Sequence, residues 1–278
     1  MKLIDFDGMF DEKLTEYIEK NKGKYTEKQW ENIIPKLYKK FGDTYVARVK
    51  CTPKEYYAKM TDAELIATLS AHLSEDVPVP EFLCTEIENR SPVDALLPLL
   101  ESSDGETVSY ALNLIGADER AFPIYFSILV GEKFDEDVRD AVVDKLKENA
   151  DAAYKTALGY YKNGQAKEYM LEILSRVKER DEEVYDTLLN AFFAEPELVP
   201  VRAAYLASYG DERALPHLLK RIEDRTIGFV EFQELKYAIE ALGGEYNEPR
   251  DFSEDKDFVM IGEASQFDLF GEDGLPKC

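Results

Sequence analysis

The stretch YGDERALPHLLKRIED at residues 209–224 has a close counterpart, IGADERAFPIYFSILV, at residues 115–130. In each copy an Asp-Glu-Arg-Ala run is followed by one apolar residue and a proline. Asp211 and Pro216 mark one copy, and Asp118 and Pro123 mark the other. The repetition has two interpretations: a duplicated active site that offers acids and an arginine, or a signal that starts helices.

The structural interpretation is favoured by the chemistry of the first residue. An aspartate in front of a helix accepts hydrogen bonds from free backbone amides and complements the helix dipole. Acid-base catalysis instead needs a desolvated pocket, which an exposed turn does not supply. Gly210 is suited to end the preceding helix. Pro123 and Pro216 are predicted at about the fifth helical position, where the ring would bend the helix.

Other helix starts are equally well marked. Thr26, Thr52, Thr61 and Ser91 each stand three residues before an acid or amide, the spacing of a capping box. From Ser91 onward the predicted starts become regular, at Asp118, Asp151, Asp181 and Asp211, with intervals of 27, 33, 30 and 30 residues. Such a period indicates a repeat architecture.

Each interval holds a second amphipathic segment, and Pro and Gly are scarce, so the sequence predicts an all-α fold of helical hairpins. The second helices are expected at about 105–116, 135–149, 166–177, 197–209 and 229–242.

These residues resemble a known family. The segment VPVRAAYLASYGDERALPHLLKRI (199–222) is similar to the HEAT-like repeat of the phycobilisome-lyase type, with weaker copies at 107–129, 137–146 and 234–244. The resemblance implies a right-handed α-α superhelix, a HEAT/ARM-like solenoid of about five to six hairpins. It also implies that basic residues and tyrosines of the second helices line a concave face: Arg139, Tyr169, Arg202, Tyr205, Lys236 and Tyr237.

Three regions are expected along the chain. Residues 1–60 lack the repeat and predict a helical N-terminal cap, residues 61–244 hold the HEAT-like repeats, and residues 245–278 form an acidic C-terminal extension. Disorder is the default for the extension. Its apolar residues instead suggest that part of it docks on the last repeat or in the groove: Phe258, Val259, Met260, Ile261, Phe267, Leu269 and Phe270.

Charge restricts the partners. The formal net charge is -23, with a net of +3 over residues 1–60, -20 over 61–245 and -6 over 246–278. This body repels DNA, RNA and anionic membranes and favours a basic protein or peptide. The amino-terminal segment does not match a signal peptide, and no apolar run is long enough for a bilayer, so a cytoplasmic location is expected.

The usual catalytic and metal-binding signals are missing from the sequence. Cys51, Cys84 and Cys278 form no C-x-x-C pair and fit a reducing compartment, and His72 and His217 are 145 residues apart. No zinc ligand set, nucleotide loop or EF-hand loop is present, so we expect no metal and no cofactor.

The sequence therefore favours a non-enzymatic interaction scaffold whose acidic, tyrosine-bearing surface binds a basic protein or peptide. Two alternatives stay open. One is an enzyme or enzyme subunit, because proteins with similar repeats include chromophore lyases and DNA glycosylases. The other is an acidic inhibitor that occupies a nucleic-acid-binding protein.

Overall fold

A computed structural model describes residues 3–261, and in this part of the chain the fold is all-α. The α-helices, in order, are α1 Phe6–Lys20, α2 Glu27–Gly42, α3 Pro53–Ala58, α4 Asp62–Ser74, α5 Glu81–Arg90, α6 Val93–Leu96, α7 Gly105–Ile115, α8 Phe122–Val130, α9 Glu136–Glu148, α10 Ala150–Lys162, α11 Lys167–Leu174, α12 Glu182–Ala194, α13 Val199–Tyr209, α14 Leu215–Ile222 and α15 Phe229–Ala241. Short 3₁₀ helices occupy Leu97–Glu101, Glu119–Ala121, Pro196–Leu198 and Glu212–Ala214.

The second helices lie where the sequence predicted them. They are α7, α9, α11, α13 and α15, whose ends fall within a few residues of the expected bounds. Their apolar side chains recur at helical spacing and are buried, as Leu206 and Leu235 show. The amphipathic pattern therefore predicts the positions of these helices correctly.

Three of the predicted capping boxes are confirmed, at Thr26, Thr52 and Thr61. At Thr61 the backbone N–H donates to the Glu64 carboxylate at 2.7 Å, and the Glu64 N–H donates to the Thr61 hydroxyl at 3.3 Å. The prediction for Ser91 is wrong. Ser91 ends α5 with φ 47° in the left-handed region, and its hydroxyl donates to the Glu88 carbonyl.

Asp118, Asp181 and Asp211 each accept backbone hydrogen bonds at a helix start, as predicted. Asp151 does not, because it lies inside the first turn of α10, behind Asn149. Its carboxylate reaches out of the helix to accept from the N–H groups of Lys178 and Glu179, at 2.8 and 3.1 Å.

The predicted proline bend is also wrong. Pro123 and Pro216 are the second residues of α8 and α14, and a 3₁₀ turn precedes each of these helices. In the first helical turn a proline has no intrahelical hydrogen bond to lose, so it starts the α-helix instead of bending it. The aspartate caps the 3₁₀ turn that Glu-Arg-Ala forms, and the proline is the second residue of the α-helix that follows.

The chain divides between Lys145 and Leu146, inside α9, into two compact units, which we call the N-terminal and C-terminal units. The N-terminal unit has a core that includes Leu65, Leu69, Leu83 and Ile87, and α5 packs on both α3 and α4.

In the C-terminal unit α10 packs on α11, α12 on α13 and α14 on α15, and second helices also pack on each other: α13 contacts α11 and α15. This arrangement places the outer faces of α11, α13 and α15 next to each other.

The segment after α15 packs back on the C-terminal unit. The Arg250 guanidinium donates to the carbonyls of Ile222 and Asp224, at 2.6 and 2.8 Å, and lies 4.9 Å from the centre of the Phe232 ring. The Phe252 ring lies 5.1 Å from that of Phe232. The predicted docking of Phe267, Leu269 and Phe270 lies outside the described residues.

No helix of residues 3–261 combines the length and apolar character needed to cross a membrane.

Candidate functional site

The outer faces of α11, α13 and α15 carry exposed and half-buried side chains. Val201 is exposed, Tyr169 and Glu234 are half-buried, and each of the three comes directly before a buried residue of its helix. On α15, Val230 and Tyr237 share the face of Glu234 because residues four and three positions apart lie above one another. We call these five residues, Tyr169, Val201, Val230, Glu234 and Tyr237, the second-helix stripe.

Two apolar residues and one tyrosine of the stripe are unusually open to solvent. Tyr237 is 59% exposed, and Val201 and Val230 are each 40% exposed. A tyrosine that presents its ring and hydroxyl on a helix surface can supply both apolar area and a hydrogen bond to a partner. The stripe therefore has the chemistry of a protein-contact surface.

Arg202 lies beneath this surface and is not available to a partner. Its side chain is only 3% exposed. One Nη group donates to the Ala191 carbonyl at 2.7 Å, and the other donates to Glu168 at 2.6 Å and to Glu195 at 3.1 Å. Burial alone would lower the pKa of Arg202, but the hydrogen bonds that it donates to the two carboxylates outweigh this effect and raise the pKa. Arg202 thus joins α11, α12 and α13.

Tyr205 is half-buried beside the same carboxylates. Burial raises the pKa of its hydroxyl well above the usual range, and the negative charges of Glu172 and Glu168 raise it further. Glu172 in turn accepts a hydrogen bond from the Lys147 ammonium at 2.6 Å. The Tyr205 hydroxyl therefore stays protonated and can donate a hydrogen bond at neutral pH.

The two remaining predicted residues, Arg139 and Lys236, contact residues four positions away in sequence. Arg139 belongs to the N-terminal unit, where its Nε donates to the Asp135 carbonyl at 3.3 Å. The Lys236 ammonium lies 4.0 Å from Glu240 on the same helix. Of the six predicted residues, the structure places Tyr169 and Tyr237 on the second-helix stripe and Arg202 and Tyr205 behind it.

The arginine of the repeated hexapeptide has a role that the sequence did not reveal. Arg213 forms a bidentate pair with Asp211, at 3.0 and 2.8 Å, and also reaches Glu182 at 2.9 Å, at the start of α12. Arg120 does the same with Asp118 and with Asp94, which lies 26 residues earlier.

The electrostatics of the hexapeptides follow from these pairs. Hydrogen bonds from the arginine side chain and backbone hold the pKa of Asp118 and Asp211 below the usual range. A carboxylate that is saturated with donors in this way is a poor proton acceptor, so the geometry supports the structural role of the motif.

The histidines and cysteines occupy separate environments. His72 is fully buried in α4, and its ring nitrogens have no hydrogen-bond partner within residues 3–261, whereas His217 lies with its ring 5.5 Å from that of Phe193. The Cys51 thiol is buried and donates to the Val49 carbonyl. Burial raises the pKa of Cys84 to about 11, which keeps this thiol protonated and a weak nucleophile.

Among residues 3–261 no group of three or more His, Cys, Asp and Glu side chains could hold a metal ion.

The N-terminal unit contains a groove that the sequence did not predict. It lies between α2 and α5, has a volume of about 920 Å³, and is lined by residues that include Phe10, Ile34, Tyr38, Phe82, Lys39 and Glu81. Beside it, the Tyr38 hydroxyl donates to Asp7 at 2.6 Å, and burial raises the pKa of Asp7. The apolar face of α2 was the available signal, but sequence alone does not show which part of such a face stays uncovered.

Compared with known proteins, the chain matches no family model, no curated protein and no solved structure. The likeness to HEAT-like repeats therefore rests on the residues quoted for it.

Proposed function

We propose that the helices of this chain form HEAT-like hairpin repeats, as in a right-handed solenoid. Hydrogen bonds that recur about one repeat apart within each unit support the proposal. Arg90 donates to the Met60 carbonyl 30 residues away, and Lys133 to the Glu101 carbonyl 32 residues away. Arg180 and Arg250 make the same kind of bond to Gly210 and Ile222, at separations of 30 and 28 residues. Such a period means that each hairpin binds its neighbour in sequence.

We infer that the protein is a non-enzymatic scaffold that binds a basic protein or peptide, and that the second-helix stripe makes the contact. The single observation that carries this inference is the exposure of Val201, Val230 and Tyr237 on neighbouring helices of a strongly acidic chain. Apolar side chains grouped on a surface favour a partner, and the surrounding negative charge selects a basic one.

The acidity of this surface is distributed unevenly. Glu168 and Glu195 share Arg202, and Glu172 is paired with Lys147, so two positive charges offset most of the charge of these three carboxylates. Glu234 and the exposed Glu197 have no ion-pair partner among residues 3–261. We therefore assign the attraction for a basic partner to the part of the stripe on α13 and α15.

The proposal is tested with a fluorescein-labelled peptide that alternates lysine and leucine and with its glutamate-for-lysine counterpart. We expect the lysine peptide to bind and its affinity to fall as salt screens the charges. Tyr237→Ala should weaken binding about tenfold, the effect of losing a moderately important interface tyrosine. Tyr45→Ala is the matched control, because Tyr45 is 62% exposed but lies in the N-terminal unit. Equal binding of the two peptides, or an affinity indifferent to salt, would contradict the proposal.

A further inference from the structure

The last described residues present apolar side chains to solvent. Residues 256–261 are helical, and within them Phe258, Val259, Met260 and Ile261 are 42%, 43%, 66% and 49% exposed. Four consecutive exposed apolar residues are unusual in a chain with 33% charged residues. We call residues 256–261 the tail helix.

The tail helix is held in place at its start. The Asp255 carboxylate accepts from the N–H groups of Asp257 and Phe258, at 3.0 and 3.1 Å, and also from that of Phe229 at 3.1 Å. It thus caps the tail helix and the first turn of α15 together. The Phe258 ring also lies 4.9 Å from that of Phe229. Because this end is fixed, Val259 and Met260 are presented from a defined position on the C-terminal unit.

The flanks of the tail helix are acidic. Glu254 and Asp257 are exposed, and residues 246–278 have a net charge of -6. A partner surface for this segment needs an apolar depression with a basic rim.

The N-terminal unit has a surface of this kind between α1 and α2. Its apolar wall is built from Phe10, Leu14, Leu37 and Phe41, and the charged residues that line it are Lys13 and Lys40. The Lys13 ammonium lies 4.9 Å from the centre of the Phe41 ring, and neither lysine has a carboxylate partner among residues 3–261. The groove measures about 160 Å³, roughly five times the volume of a water molecule in the liquid, which suits one large side chain.

We propose that the tail helix of one copy of this chain docks in the α1–α2 groove of a second copy. Met260 enters the groove, because it is the most exposed residue of the run and its unbranched chain adapts to irregular apolar space. Asp257 and Glu254 then lie near Lys13 and Lys40. The larger groove between α2 and α5 suits an acidic segment less, because Glu55, Glu81 and Glu86 line it against two lysines, and one of these, Lys54, is already paired with Asp43.

The contact is heterologous, since each copy offers a tail helix and a groove, and it makes self-association depend on protein concentration. Sedimentation velocity of the full chain should show a species larger than the monomer that grows from low to high micromolar concentration. Met260→Lys should shift this species to monomer at every concentration, because it removes the anchor and places a third positive charge beside the two lysines.

Tyr237→Lys is the matched control, since Tyr237 is 59% exposed but belongs to the second-helix stripe. We expect it to leave self-association unchanged while it abolishes binding of the lysine peptide. The two proposals can therefore fail separately.

A charge exchange tests the location of the groove. Lys13→Glu with Lys40→Glu should weaken self-association, and Asp257→Lys added to this pair should restore it. Circular dichroism checks that each variant keeps its helix content. A wild-type chain that stays monomeric at all concentrations, or self-association that survives Met260→Lys, would overturn the proposal, and a charge exchange without rescue would exclude this groove as the partner.

Discussion

At the scale of single residues, a buried charge links separate helices of this protein. Arg202 shows this most clearly, because its three hydrogen bonds reach the Glu168 carboxylate on α11 and the Ala191 carbonyl and Glu195 carboxylate at the end of α12. A buried arginine of this kind costs desolvation, so its partners matter more than its charge. Arg202, which the sequence predicted on a binding surface, therefore connects α13 to α11 and α12.

Replacement of Arg202 tests this role. We expect Arg202→Ala to lower the free energy of unfolding by about 2–4 kcal/mol, because it leaves the Ala191 carbonyl unsatisfied and two carboxylates unpaired. Urea unfolding measures the loss. Arg225→Ala is the control and should change stability by less than about 0.5 kcal/mol, since Arg225 is exposed. Equal effects of the two substitutions would contradict the assignment.

The paired aspartates predict a dependence on pH. The pKa of Asp211 is held down in the folded state by its hydrogen bonds with Arg213, whereas in the unfolded chain it is about 3.9. Its contribution is therefore complete above pH ~3.9 and is lost as the pH falls through the lower, folded pKa.

Asp211→Asn keeps an acceptor for the helix start but removes the charge. We expect it to be less stable than the wild type at neutral pH by about 1 kcal/mol or less, because Arg213 is half exposed. The difference should disappear in acid, and urea midpoints measured from pH 7 downward would show it. A difference that persists at low pH would mean that the cap, not the charge, is responsible.

At the scale of helices and turns, hairpin ends use two kinds of terminus. Aspartates in an extended conformation begin helices, as at Asp181, while residues with positive φ end them, as at Gly210 and Ser91. Glycine adopts positive φ without strain, but serine does so at a cost. The left-handed backbone at Ser91 therefore lowers the stability of the end of α5.

Ser91→Gly should raise the free energy of unfolding by about 0.5–1 kcal/mol, since it relieves the left-handed backbone conformation. If Ser91 instead capped the start of a helix, the same change would lower stability by a few tenths of a kcal/mol. The sign of the shift in the urea midpoint distinguishes the two roles. Thr61→Ala, at a confirmed cap, is expected to cost about 1 kcal/mol.

At the scale of the whole molecule, each of the two units is held together by packing between helices that are close in sequence, such as α4 on α5 and α14 on α15. The segment after α15 adds to these contacts in the C-terminal unit, where Arg250 satisfies the carbonyls of Ile222 and Asp224. Free carbonyls at a helix end require such partners. Residues 245–258 thus pack on α14 and α15.

Arg250→Ala should therefore loosen the end of the C-terminal unit. We expect a loss of about 1–3 kcal/mol, from two hydrogen bonds of a charged donor and one contact with the Phe232 ring. Hydrogen exchange should accelerate in α15 and in residues 245–258, while α4 and α5 keep their protection. Unchanged exchange in α15 would show that the segment does not support this helix.

Apolar spacing and capping residues act within a few positions of the chain, so the sequence alone predicts the five second helices and the caps at Thr26, Thr52, Thr61, Asp118, Asp181 and Asp211. Which helical residues face outward follows only from the tertiary packing. Arg202 is buried against Ala191 and Glu168, 11 and 34 residues away, and Arg213 and Asp151 reach Glu182 and Lys178, 31 and 27 residues away. The pair of Arg213 with Asp211 is local, but the longer contacts are set by how helices pack on each other, and no local pattern records them.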